Sequence, residues 1–280
     1  MDMTHEIEAV RRLFLQPKFE LLPFRSAIDQ IEFLPEAATV TITASPTKGI
    51  EPTLEYATKL ARLGFDVIPH IAARSVANEQ HLARILDTIT QAGIGQIFVV
   101  AGDSTASGEY SDGLSLLEAI AGFSDPPPEI GIPAYPDGHS FIARRALHQT
   151  LKEKQAFASY MTTQMCFDPV IISNWVTDTR SDGITLPIHL GMPGVAPIRK
   201  LIRISAQIGV GASARFLLRH RGLLGQLTRR STYSPDRLAT GLSELIADPT
   251  ANIEAAHFYT FNHVKSLEAW RQDWLSAIES

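Results

Sequence analysis

The chain holds a single cysteine, Cys166, among its 280 residues, which excludes an internal disulfide framework and fits a reducing compartment. It has no apolar run of about 18 residues or more, so no transmembrane helix is expected. The opening stretch MDMTHEIEAVRRLFLQP carries charges where a secretory leader needs an apolar centre. Positive charge is not in excess: 25 basic against 30 acidic residues give a net charge of −5. Nothing global therefore points to nucleic acid or an anionic membrane as a partner. A cytoplasmic protein acting on a small molecule is the expectation, and a homo-oligomer is compatible with it. Several chemistries also lack their motifs. There is no G-x-S-x-G elbow, no H-E-x-x-H, and no H-x-H pair on one strand. The glycines of GIGQIFVVAGD precede a strand instead of following it, which rejects a Rossmann phosphate loop.

What is present is an alternation. An apolar fraction of 45% is ample for a core, and it is distributed in short β-rich runs separated by longer helical patterns. The strand candidates are FELLPF (19–24), ATVTITAS (38–45), FDVIPHIAA (65–73), GQIFVVAGD (95–103), EIGIPAYPD (129–137), ASYMTTQMCFD (158–168), LPIHLGMPG (186–194) and HFYTFN (257–262). The segments between them carry apolar residues at i, i+3 and i+4, and Gly64 and Gly93 stand where a left-handed helix cap needs them. Strands alternating with helices imply parallel pairing through right-handed crossovers. Eight units favour a closed (β/α)8 TIM barrel over an open doubly wound sheet, with residues 1–280 as one domain. More than sixty residues separate the seventh and eighth strands, enough for extra helices at roughly 197–208, 211–230 and 234–247. The middle one is basic (Arg215, Arg219, Arg221, Arg229, Arg230) and reads as a solvated face or as an anion site.

In such a barrel chemistry sits at the C-terminal strand ends, and those ends are polar throughout. They carry Glu20, Thr43, Ser45, His70, Asp103, Tyr135, Asp137, His139, Gln164, Asp168, Tyr259, Asn262 and His263. Glu20 is the most informative, a lone carboxylate in a run that otherwise reads as a buried strand. Burial favours the neutral carboxyl and raises its pKa, which makes a general acid for neutral pH. Structural roles compete for each residue: Glu20 as a salt-bridged rim residue, His70 as a satisfied core histidine, Asp103 as a turn residue after Gly102, and Asp137 and Asp168 as helix caps. Histidines at four strand ends (His70, His139, His189, His263) raise a metal-dependent hydrolase as an alternative, although their spacing matches no metal motif. Cys166, between Met165 and Phe167, reads as buried and inert. The remaining inventory suits a planar heteroaromatic ligand. Tyr135 and Phe167 would stack on it, and Gln164 and Asp103 would meet its hydrogen-bonding edges.

FELLPF, PHIAA, VVAGD, AYPDGH, TQMCFD and HFYTFN, in this order and spacing, resemble the catalytic barrel of methylenetetrahydrofolate reductase from about residue 18 to residue 263. The resemblance implies FAD as cofactor, NADH or NADPH as electron donor, and interconversion of 5,10-methylenetetrahydrofolate and 5-methyltetrahydrofolate. By the same resemblance Glu20 is the general acid that protonates the folate nitrogen released on ring opening. Asp103 lies beside flavin and pterin, and Gln164 orients folate and nicotinamide in turn. Thr43, His70, Gly102, Tyr110, Tyr135, His139 and Lys154 match positions that line FAD, and Lys200 and His263 fall near positions that handle folate. The chain departs from the family pattern at Phe24 (usually proline), Ala101 (often arginine) and His263 (commonly arginine). A divergent member is expected. The alternative within this resemblance is a folate-binding barrel without flavin redox activity.

Overall fold

The computed structural model describes residues 3–45, 48–104, 108–207 and 232–278. Its centre is a closed barrel of eight strands: β1 (Lys18–Leu21), β2 (Thr39–Ile42), β3 (Asp66–Ala72), β4 (Gln96–Val100), β5 (Glu129–Ala134), β6 (Tyr160–Thr163), β7 (Ile188–Pro193) and β8 (Ile253–Tyr259). Neighbouring strands pair in parallel all the way round, and β1 closes on β8. The expected (β/α)8 barrel is therefore the fold. Seven of the paired strands are shorter than the apolar runs that announced them, and the eighth, expected at 257–262, starts earlier at Ile253 and ends at Tyr259. In FELLPF pairing ends at Leu21, just before Pro23, which has no N–H to offer a ladder.

Alternation along each strand divides the side chains between two environments. Val40, Ile42, Ile71, Val99, Ile132, Leu190 and Phe258 point outward into the main core. That core is completed by helices α1 (Met3–Leu15), α2 (Glu51–Arg62), α3 (Glu79–Gln91), α4 (Gly113–Ala121), α5 (Arg144–Lys154) and α6 (Pro169–Ser181). Helix α3 begins at an Asn78 cap whose side chain accepts from His81 N at 2.9 Å, and α4 at an Asp112 capping box. Gly64 (φ +91°) and Gly93 (φ +69°) follow α2 and α3 in the left-handed region, as the sequence suggested.

Between β7 and β8 lie α7 (Ile198–Gln207), α8 (Asp236–Gly241) and α9 (Ser243–Ala247), and Ala196–Pro197 pairs antiparallel with Thr232–Tyr233. The single helix expected over 234–247 is thus two, broken at Leu242 after Gly241. The basic segment from Arg215 to Arg230 lies outside the described residues. Two helices absent from the sequence reading bracket the barrel: α1 and the last helix, α10 (Val264–Ile278). Phe14 of α1 packs on Phe258 of β8 and on Trp270 and Trp274 of α10, with ring centroids 5.5, 5.4 and 4.7 Å away. Buried Arg271 donates to the Phe14 carbonyl at 2.7 Å, satisfying an end carbonyl of α1, and is itself paired with Glu268 at 2.6 Å.

Candidate active site

The barrel lumen is unusually polar. Where branched apolar residues normally fill such barrels, among the described residues only Ile68, Phe98 and Tyr160, backed by Val100, form an inner apolar cluster. At the N-terminal end Lys18 stands 4.5 Å over the Tyr160 ring and donates to Gln96 Oε1 at 3.4 Å. Burial lowers its pKa, against the fields of Glu129, Asp66 and Glu254. His189 stacks on Tyr160 (centroids 4.0 Å apart) and meets Glu254 through Nε2 at 3.5 Å.

Higher in the lumen, toward the C-terminal mouth, sits Glu20. Its side chain is 13% exposed, and Oε2 lies 3.4 Å from Nε2 of His257, a side chain 3% exposed. The expectation of a lone carboxylate in apolar surroundings is corrected here, because the strand is buried outward and polar inward. Thr260 Oγ1 donates to the Glu20 carbonyl. Asn262 accepts from Leu22 N at 2.9 Å and donates to Leu22 O at 3.2 Å. The backbone after β8 reaches this geometry with Phe261 and Asn262 both at positive φ (50° and 57°). His70 shares the lumen with Glu20, and burial pushes its imidazole down to about 4, opposed by the field of Glu20 and reinforced by His257. His70 Nε2 and Thr41 Oγ1 are buried without a hydrogen-bond partner among the described residues.

A second group rims a cavity of about 810 Å³ that opens beside β4 and β5 and runs under α5. Tyr135, Ala101, Gly113, Arg144, Arg145 and Lys154 are among its lining residues. Lys154 is buried and its ammonium pKa is lowered by that burial, with Asp112 opposing. Tyr135 lies edge-on to His139 at 5.6 Å, and its phenol is pushed up by burial and by the charge of Asp103. Asp103 itself is exposed on the loop after β4. The preceding Gly102 has φ +83°, and a Cβ there would lie 2.9 Å from that of Ala72. Thr43 accepts through its carbonyl from Thr53 Oγ1 at 3.0 Å, and Tyr110 packs within the main core. Burial also raises the Tyr110 phenol, assisted by Glu109 and Glu79.

The third group is Lys200 and His263. Lys200 Nζ donates to the Phe261 carbonyl at 3.0 Å and lies 2.9 Å from His263 Nε2. The His263 imidazole is lowered by burial and by Lys200. An apolar wall of Met165, Phe167, Leu201, Tyr233 and Phe261 stands beside it, with Tyr259 packed against the wall. Tyr259 ties the groups together, since its phenol is raised by burial first and then by Glu20 and Tyr135. Gln164 turns its Oε1 back onto Met165 N at 2.8 Å. Asp168 caps α6 by accepting from Val170 N at 3.0 Å, so its structural role is the one seen.

The family described as methylenetetrahydrofolate reductase matches residues 14–271 of this chain. The chain belongs to the methylenetetrahydrofolate reductase family. Methylenetetrahydrofolate reductase 1 of Schizosaccharomyces pombe is 25% identical over 230 residues, covering 72% of this chain and 34% of the relative. The chain thus spans about a third of that relative's length. Among solved structures, a GH18 chitinase from Cycas revoluta in complex with allosamidin superposes with a TM-score of 0.52 at 9% identity, covering 94% of this chain and 100% of the other. The spore cortex-lytic enzyme SleL of Bacillus megaterium gives 0.51 at 10% identity, covering 94% and 73%. At such identities these two speak for the barrel alone.

Within the barrel, the residues implied by resemblance fall into the three groups described, and Tyr259 lies within the fields of Glu20 and Tyr135. Tyr110 packs in the main core, and the Thr43 carbonyl accepts from Thr53. The histidines of the metal alternative occupy separate environments, His189 on Glu254, His263 on Lys200 and His139 between Tyr135 and Phe141. Among the described residues no three His, Cys, Asp or Glu side chains are grouped to hold a metal ion. No helix among them is long and apolar enough to cross a membrane. Sequence reasoning missed His257, the partner of Glu20. Its signal was available: in HFYTFN, His257 and Tyr259 alternate with Phe258, so both share the inner face once Phe258 is assigned outward.

Proposed function

We propose that this chain is a flavin-dependent methylenetetrahydrofolate reductase, interconverting 5,10-methylenetetrahydrofolate and 5-methyltetrahydrofolate with NADH or NADPH as donor. The observation that carries the reading is Glu20, a nearly buried carboxyl inside the lumen facing its mouth, held by His257 in a chain of this family. The residues present fit FAD. The cavity has the size of a cofactor site, Tyr135 offers it a ring, and buried Lys154 with Arg144 and Arg145 offers cations for a pyrophosphate. When bound, FAD would supply hydride transfer.

The chain's own groups have separate tasks in this reading. Glu20 donates a proton to the folate nitrogen as its bond to the methylene carbon breaks, and the bonding pair stays on nitrogen. Asp103 and Gln164 present hydrogen-bonding groups to the pterin. Lys200, with His263 beside it, is the cation for the folate carboxylates, and the wall of Phe167, Tyr233 and Phe261 excludes water.

A second reading, folate binding without flavin redox activity, rests on Ala101, which lines the cavity where many family members carry an arginine. An absorbance spectrum of the purified protein, repeated with added FAD, separates the two. The proposal expects a flavin band and reduction of methylenetetrahydrofolate with NADH or NADPH. Folate binding without flavin uptake or turnover would sink it in favour of the second reading.

A further inference from the structure

We propose that His257 is the positioning residue for Glu20: it occupies one carboxyl oxygen, leaving the other to carry the acid proton, and it stabilises the carboxylate once that proton has gone. This rests on the reading of Glu20 as the general acid. The contact is Oε2 to Nε2 at 3.4 Å, between side chains 13% and 3% exposed. Both partners are anchored independently. The His257 ring is edge-on to Tyr259 at 5.0 Å. The Glu20 main chain is held through its carbonyl by Thr260, and Leu22 is held on both sides by Asn262. The end of β8 therefore fixes the acid's backbone and its carboxyl together. Two carboxyl oxygens are equivalent in water. Here His257 makes them different, and Oε1 is the one left without a hydrogen bond inside the barrel among the described residues.

In the step, the proton on Oε1 passes to the folate nitrogen as the carbon–nitrogen bond breaks, and the electron pair stays on nitrogen. The carboxylate left behind accepts from His257 Nε2–H, and water restores the proton before the next turnover. His257 keeps its own proton throughout, which distinguishes positioning from relay. The groups that share its field are Glu20 and Lys18 on β1, His70 on β3, His189 on β7 and Tyr259 on β8.

Two variants test this. His257→Gln keeps an N–H donor near the position of Nε2, and His257→Leu removes the donor. We expect His257→Leu to lower kcat of the folate half-reaction by about 10- to 100-fold, the scale of a misplaced reacting group, with KM for folate nearly unchanged. His257→Gln should stay within about threefold of the parent, and reduction of bound flavin by nicotinamide should survive in both. Nitrogen-15 NMR of the histidine side chains, without added cofactor or folate, supplies a readout independent of turnover. It should show Nε2 of His257 protonated, with its resonance moving in Glu20→Gln. Full folate activity in His257→Leu, equal loss in both variants, or an unprotonated Nε2 would overturn the proposal. If His257→Leu does not fold, His257→Gln and the NMR decide. If the parent protein neither binds flavin nor turns over folate, the functional reading fails, while the NMR still tests the Glu20–His257 contact by itself.

Discussion

Lowering the pH from 7 toward 4 should destabilise this barrel through two buried imidazoles. His70 is 7% exposed and His189 3% exposed, and burial lowers each from 6.5 to about 4. For His189 the contact with Glu254 works against that shift, and Lys18 and His257 reinforce it. The sign follows from proton uptake. Between pH 6.5 and 4 the unfolded chain binds protons at these two positions that the folded chain refuses, so stability falls as pH falls through that window. Their contribution is complete above about 6.5 and levels off below about 4. Each site reaches a limit of about 3 kcal/mol, and about 2 kcal/mol of that is already lost at pH 5. Two such sites are a large share of the roughly 5–15 kcal/mol typical of a domain. Urea midpoints of the parent and of His189→Gln at pH 7.5, 6 and 5 give the assay. Carboxylates titrate in both proteins, so the difference between the two curves isolates the histidine. The variant should lose about half of the part of the decline between pH 6.5 and 5 that the two buried histidines cause. Parallel curves for the two proteins would refute the argument that His189 is held neutral by burial.

Glu20→Gln is nearly isosteric and can still meet His257, so it should fold and bind folate while methylene reduction drops at least roughly 10²-fold; stopped-flow of the two half-reactions checks this, and reduction of flavin by nicotinamide should persist. Lys154→Met removes a buried cation from the cavity wall. Loss of a charge-assisted contact worth roughly 1.5–3 kcal/mol should weaken FAD about 10- to 100-fold, read by fluorescence titration, with no loss of thermal stability. Gly102→Ala places a Cβ 2.9 Å from that of Ala72 at φ +83°. About 1–3 kcal/mol of strain should appear as a lower denaturation midpoint, with displacement of Asp103 reducing ligand affinity.

The architecture was legible because each unit repeats the same local rules. An apolar run followed by a helical pattern recurs until the strands number eight, and left-handed glycines such as Gly64 and Gly93 mark some of the joins. Periodicity also placed polar residues at the strand mouths. What the sequence could not reveal is which of them meet. Glu20 and His257 are 237 positions apart and touch only because β1 closes on β8 in a register that pairs Glu20 with Tyr259. Gln164 was legible as a residue but not as geometry, since it spends its side-chain oxygen on its own local backbone, whereas the capping role of Asp168 was one of the two readings open to it. Sequence reasoning missed helix α1, although Val10, Leu13 and Phe14 stand at i, i+3 and i+4, because it weighed the charges there only against a secretory leader. Phe14 of α1 faces the last strand and helix, and Val10 and Leu13 are buried with it.

The polar lumen explains why the barrel is built in two layers of unequal task. The outer layer, between strands and helices, holds the main apolar core, including Phe14, Phe19 and Phe258, fully buried. Burying such rings contributes several kcal/mol each, and this layer supplies the stability. The inner layer is then free to hold groups that would be destabilising in isolation: His70 with an unpartnered Nε2, Lys18 over Tyr160, and a carboxyl beside an imidazole. Their arrangement is graded. The cation and its surrounding carboxylates close the N-terminal end, the stacked rings of His189 and Tyr160 lie between, and Glu20 with His257 faces the mouth. A carboxyl at the mouth alone would be solvated and set by water. Set one layer down, against a histidine that β8 positions, its reactivity is decided by the barrel's own register.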